Sequence, residues 1–104
     1  MHAVLITFTS AAPLDELAAP FGEYADALCG VSGLVAKTWI KDGETLGGFH
    51  VFTSRAEADG YLGSEMVAGL TSSPAFTDFA IAHFDVIDDL SYTTGTPMRE
   101  LVAS

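Results

Sequence analysis

The stretch from Gly33 to Leu62, GLVAKTWIKDGETLGGFHVFTSRAEADGYL, constrains the fold of this chain more than any other. Leu34 to Lys41 is rich in β-branched and aromatic residues, and Asp42-Gly43 follows it. Asp-Gly between two such runs signals a hairpin, because glycine accepts the positive φ of a primed turn. Phe49 to Thr53 is the returning strand, and Ser54-Arg55-Ala56-Glu57 has the form of a capping box that opens a helix. The order strand, turn, strand, helix is thus set within one segment. Its register has two solutions. With Asp42-Gly43 as a two-residue loop, Trp39 opposes Leu46, and Val35, Lys37, Trp39, His50 and Phe52 share a face; this is the favoured register. A three-residue loop sets Trp39 against Gly47 and moves His50 to the opposite face, since a slip of one residue flips every side chain. Gly47-Gly48 also offers a place for a bulge.

The flanks complete a pattern. His2 to Thr9 reads as a strand with Val4, Ile6 and Phe8 on one face and Ala3, Leu5 and Thr7 on the other, both largely apolar. Leu14, Leu17, Phe21, Tyr24 and Leu28 recur at three and four, which predicts a helix over Leu14–Leu28. Pro20 conflicts with it, so the helix either kinks there or begins near Ala19. After the hairpin, Ala58, Tyr61, Leu62, Met66 and Leu70 share a helical face, with a break expected at Gly63-Ser64, where Ser64 caps a second short helix. Phe76 to Ile87 is the fourth strand. The remainder, about residues 89–104, reads as a tail with a short helix near Met98 to Val102. The order β-α-β-β-α-β predicts a single α+β domain, a ferredoxin-like sandwich with a four-stranded antiparallel sheet and both helices on one face.

Composition narrows the partners. The chain has 104 residues, 49% of them hydrophobic, and a net charge of −10 with only four basic side chains. So acidic a chain is repelled by nucleic acid and by anionic membranes, and no apolar run approaches the ~20 residues of a membrane span. Few cations and no glycine-rich phosphate loop count against flavin or nicotinamide, so no cofactor is expected. The N-terminus lacks the basic region of a signal peptide and Cys29 is the single cysteine, which sets the cytoplasm as the expected compartment. A sheet apolar on both faces, in a chain too short to cover both, predicts a homodimer.

Three segments carry a family resemblance: SGLVAKTW, GGFHVFTS with the capped helix bearing Ala-Asp-Gly-Tyr-Leu, and AHFDVIDDLS. Together they span roughly Ser32 to Ser91, and there the chain resembles the YdhR-type monooxygenase family. That family is similar to the dimeric α/β-barrel superfamily, in which two ferredoxin-like sheets pack face to face. The superfamily includes cofactor-independent monooxygenases, polyketide cyclases, haem-degrading enzymes and isomerases. The resemblance implies the fold and the dimer, and a small-molecule substrate with O₂ as its partner. Some superfamily monooxygenases use an asparagine with tryptophan and tyrosine; this chain contains neither asparagine nor glutamine, so that trio is not assembled here.

Cofactor-free oxygenation needs a phenol or enol that loses a proton and passes an electron to O₂, so the protein must supply a base, a polar partner for the anion, and a dry pocket. His50 is the first candidate, a polar group in the middle of an apolar strand that titrates near neutrality. Its structural alternative is a histidine bonded to a carbonyl or exposed at an edge. Trp39, to stack on a substrate ring, and Tyr61, reaching in from the second helix, complete the expected catalytic group; plain core packing is the alternative for each. Thr38, Tyr24, Phe52 and His83 are the expected substrate-binding residues. His2, His50 and His83 lie on separate strands without the local spacing of a zinc motif, and no metal is expected. Asp85, Asp88 and Asp89 read as a solvated acidic edge. Three functions stay open: a cofactor-independent monooxygenase acting on an aromatic or polyketide-like molecule, a non-catalytic binding homodimer, and a cyclase or isomerase using the same pocket.

Overall fold

The computed structural model describes residues 1–96. The elements run β1 His2–Ser10, α1 Leu14–Leu28, β2 Leu34–Asp42, β3 Thr45–Phe52, α2 Arg55–Leu62, α3 Glu65–Thr71, β4 Phe76–Asp85 and α4 Asp88–Thr93. The sheet order is β2-β3-β1-β4, antiparallel at each of its three pairings. Each helical connection therefore spans one intervening strand, which is the split arrangement of a ferredoxin-like α+β fold. The expected short helix at Met98 to Val102 lies outside the described residues. None of the described helices is long and apolar enough to cross a membrane.

The core follows from strand parity. Val4, Ile6 and Phe8 of β1, with Leu46 and Phe52 of β3, meet Leu17 and Leu28 of α1, Ala58 and Tyr61 of α2, and Val67 of α3. The helix α1 is continuous through Pro20, so the alternative start near Ala19 does not occur. Ser54 caps α2 by accepting from the Glu57 N–H at 3.3 Å. The chain breaks at Gly63 as expected, but Ser64, although it stands at the N-cap of α3, makes no capping bond. Its hydroxyl instead donates back to the Tyr61 carbonyl at 2.6 Å.

The hairpin register matches neither expected solution, because Asp42 pairs with Thr45 and the loop is Gly43-Glu44. Gly43 has φ +59° and Glu44 is not in the positive-φ region, which is what the first position of a II′ turn requires. Trp39 thus opposes Gly48, and Lys37 opposes His50. Relative to the favoured register each strand is offset by whole pairs, so parity survives and Lys37, Trp39, His50 and Phe52 do share the helix-facing side. Val35 does not join them. A shift between Leu34 and Ala36 sets Leu34 opposite Phe52, and Leu34 packs on the core instead. A second irregularity lies between Thr7 and Thr9 of β1, near Asp78 with φ +56° on β4, and it brings both Phe76 and Phe79 onto the Phe8 ring at 4.8 and 5.2 Å.

The opposite sheet face carries Thr38, Ile40, Phe49 and Phe84, and the last three are at least 39% exposed. Residues 88–93, read from sequence as tail, form α4, beside the end of this face where Ala3 and Val51 are buried.

Glycines at two positions should respond in opposite ways. A Cβ on Gly47 would collide with the Ile6 carbonyl oxygen of the neighbouring strand, whereas none of the described residues stands within 4 Å of a Cβ on Gly22 in α1. Urea unfolding should show Gly47→Ala losing on the order of 1–3 kcal/mol and Gly22→Ala gaining roughly 0.5–1 kcal/mol.

Candidate active site

Between the helix-facing side of the sheet and α1 to α3 lies an apolar cleft, lined among others by Tyr24, Lys37, Trp39, Gly48, His50 and Tyr61. Its volume is about 20 Å³, room for roughly one water.

His50 sits at the centre of β3 and is 1% exposed. Its Nδ1 lies 3.2 Å from the Val4 carbonyl oxygen. A carbonyl only accepts, so Nδ1 carries the hydrogen and the neutral ring leaves Nε2 unprotonated. Nε2 is buried and has no hydrogen-bond partner among the described residues. Burial, and then the charge of Lys37, push the imidazole down to about 4, against the opposing effect of the nearby Val4 and Gly48 backbone. At neutral pH the cleft therefore offers a free lone pair. The structural alternative of a carbonyl-bonded histidine is realised at one nitrogen, and the other remains available for chemistry.

Tyr24 of α1 and Tyr61 of α2 join through their hydroxyls at 2.6 Å. Burial raises both phenols; the shared hydrogen bond adds to the rise at Tyr61 and opposes it at Tyr24. The Tyr61 ring lies 5.5 Å from His50 and 5.7 Å from Phe52. Phe52 is fully buried and stacks near-parallel to His50, so it supports the imidazole from the core and does not line the cleft.

Lys37 shares the face of Trp39 and His50 in the favoured register, and no role at the site was expected of it. The structure turns its chain inward. Its Nζ stands 3.6 Å from the centre of the Trp39 ring and 5.1 Å from that of Tyr24. Burial lowers the ammonium to about 8. Trp39 is 40% exposed, with Phe21 at 5.2 Å and Tyr24 edge-on at 6.3 Å. The Lys37 ammonium lies over one face of the indole on which a guest ring was expected to stack. The sequence signal was the parity that set a lysine beside Trp39 and His50. Gly48 leaves the space in which they meet, for a Cβ there would collide with Lys37 Cε and come within 2.9 Å of His50 Cε1.

Two expected substrate contacts fall elsewhere. Thr38 pairs with Phe49, and strand alternation sends it to the opposite sheet face. His83 pairs with His2, Nδ1 to Nε2 at 2.9 Å, away from the cleft lining. His50 does not join them, and the described residues contain no group of three or more His, Cys, Asp or Glu that could hold a metal ion.

Residues 4–97 match the family model described as "Putative mono-oxygenase ydhR". No curated protein matches the sequence. Among solved structures, SnoaB, a cofactor-independent oxygenase from Streptomyces nogalater, is similar over 82% of this chain and 91% of its own, at 16% identity and TM-score 0.67. A protein of unknown function from Nitrosomonas europaea is 24% identical over 83% and 88% of the two chains, at TM-score 0.59. The heme-degrader MhuD from Mycobacterium tuberculosis, solved with two hemes in its active site, is 16% identical over 84% and 96%, at TM-score 0.62. These likenesses show the fold.

Acid should find the buried imidazole. His50 titrates at about 4 when folded, below the ordinary 6.5, so between these values the unfolded chain binds more protons and stability falls as pH drops through the window. Denaturant titrations at pH 7 and pH 4.5 should show His50→Gln losing less stability than wild type, by on the order of 2–3 kcal/mol. Equal losses would mean that His50 is not the group being protonated.

Proposed function

This chain belongs to the YdhR mono-oxygenase family, and on that premise we propose that it is a cofactor-independent monooxygenase acting on an ionisable aromatic or polyketide-like small molecule. One observation carries the reading: His50 presents a buried, unpartnered and unprotonated Nε2 in an apolar cleft. Such a nitrogen accepts a proton from a guest hydroxyl only if the guest fills the site, and the dry surroundings hold the resulting anion away from water. The anion passes one electron to O₂, and the carbon radical and superoxide combine as a peroxide. The proton held on His50 returns to the distal oxygen. Loss of water then leaves a carbonyl where a methylene stood, so one oxygen atom enters the product and the other leaves as water. That SnoaB is described as a cofactor-independent oxygenase on the same fold supports the assignment by analogy.

The second part of the proposal is a homodimer joined through the open sheet face. Ile40, Phe49 and Phe84 are exposed there, and a second copy would cover them by burying on the order of 2,000 Å². The free, exposed Cys29 fits action in a reducing compartment such as the cytoplasm.

Oxygen uptake by the pure protein with an enolisable polycyclic ketone, anthrone as the probe, tests the chemistry. His50→Ala should lower turnover by roughly 10²-fold while the dimer persists. A thermal shift with the probe but no oxygen uptake would replace the enzyme with a binding protein, and turnover under nitrogen would indicate an isomerase or cyclase. Sedimentation equilibrium at micromolar concentration should return twice the chain mass of 10.9 kDa. A folded monomer would remove the dimer.

A further inference from the structure

Lys37 lacks what a partly buried cation ordinarily has. The chain carries fourteen carboxylates against four basic side chains. Yet among the described residues the ion pairs involve only the Met1 amino group, His2 and Arg55. Lys37 stands over the Trp39 and Tyr24 rings, facing His50 from the adjacent strand. Cation–π attraction offsets part of the cost of withdrawing an ammonium from water, by roughly 0.5–2 kcal/mol, but it supplies no opposite charge. The neighbouring phenols do not supply one either, since Tyr24 and Tyr61 are engaged with each other and held in the neutral form by burial. His50 is neutral, with a lone pair to offer. A donor of positive charge and an acceptor of a proton thus stand opposite each other across the gap that Gly48 leaves.

We propose that Lys37 is the anion-holding residue of this cleft, and that with His50 it selects guests bearing a weakly acidic planar hydroxyl, a phenol or an enol, and binds them as the conjugate base. The inference rests on the cleft being the substrate site, and it names the substrate class. The guest oxygen accepts from the Lys37 ammonium and gives its proton to His50 Nε2, so no bond other than O–H breaks and the total charge of the site is unchanged. A guest with an ammonium group meets like charge there and is rejected. An aromatic hydrocarbon without the hydroxyl leaves both polar groups unpaired and binds weakly. Lys37 stays largely protonated at neutral pH, because burial lowers it only to about 8.

The test is spectroscopic and needs no turnover. Para-nitrophenol absorbs at different wavelengths as phenol and as phenolate, so its titration can be followed while bound to the full-length protein. The bound probe should titrate at least one pH unit lower on wild type than on Lys37→Met, a tenfold loss of anion preference, and Lys37→Arg should keep most of the wild-type shift. Lys37→Gln serves if the methionine variant fails to fold. Equal titration on wild type and the neutral variants, or no saturable binding of the probe in either form, would overturn the proposal. A protein that shifts the probe in this way but consumes no oxygen keeps the anion site and loses the oxygenase.

Discussion

The centre of this molecule is a place with no side chains. At Gly47 the β3 backbone lies so close to β1 that a Cβ would meet the Ile6 carbonyl, and at Gly48 the missing Cβ is the space into which Lys37 and His50 extend. Glycine weakens a strand by exposing its backbone and enlarging the unfolded ensemble. Here that cost is offset by the strands on either side, which hold β3 along its whole length. The cleft and the positions of Lys37 and His50 within it depend on this gap.

Much of the architecture was legible because parity is robust. The hairpin loop sits one residue further along than Asp42-Gly43 suggested, yet Trp39 and His50 remain on one face, because the pairing moved by an even step. Asp-Gly marks a turn without saying which of its residues stands in the loop. The break at Gly63 was readable for a similar reason, since glycine and serine end one helix and begin another by local chemistry alone. Val35 was misplaced because a bulge at the start of β2 has no clear signature in the chain. The residues 88–93 read as tail because two acids followed by a short mixed run carry too little periodicity to predict α4.

The site was legible in part. His50, Tyr61, Tyr24 and Trp39 all line one cleft, the arrangement that goes with the favoured parity of the hairpin. What sequence does not encode locally is how a side chain resolves a competition. A lysine can snorkel to water or fold over an aromatic face, and only the positions of Tyr24 and Trp39 decide it. His83 was drawn to His2 by a neighbour on the adjoining strand, a pairing that depends on the sheet order. The site is also costly to stability. Among the described residues its ammonium has no counter-ion and one imidazole nitrogen no donor, a pattern that favours function over the most stable packing.

The narrowness of the cleft sets the terms on which anything binds. With about 20 Å³ of free volume, it admits a ring only when lining side chains withdraw. The hydroxyl bridge from Tyr24 to Tyr61, which links α1 to α2, is among the contacts that resist withdrawal. Capture then waits on the frequency of opening instead of the frequency of collision, and measured affinity is the intrinsic affinity diminished by the fraction of molecules that stand open. Substitutions in the two helices that never touch the guest would therefore change how fast it arrives and how long it stays, leaving the shape of the closed site as it was.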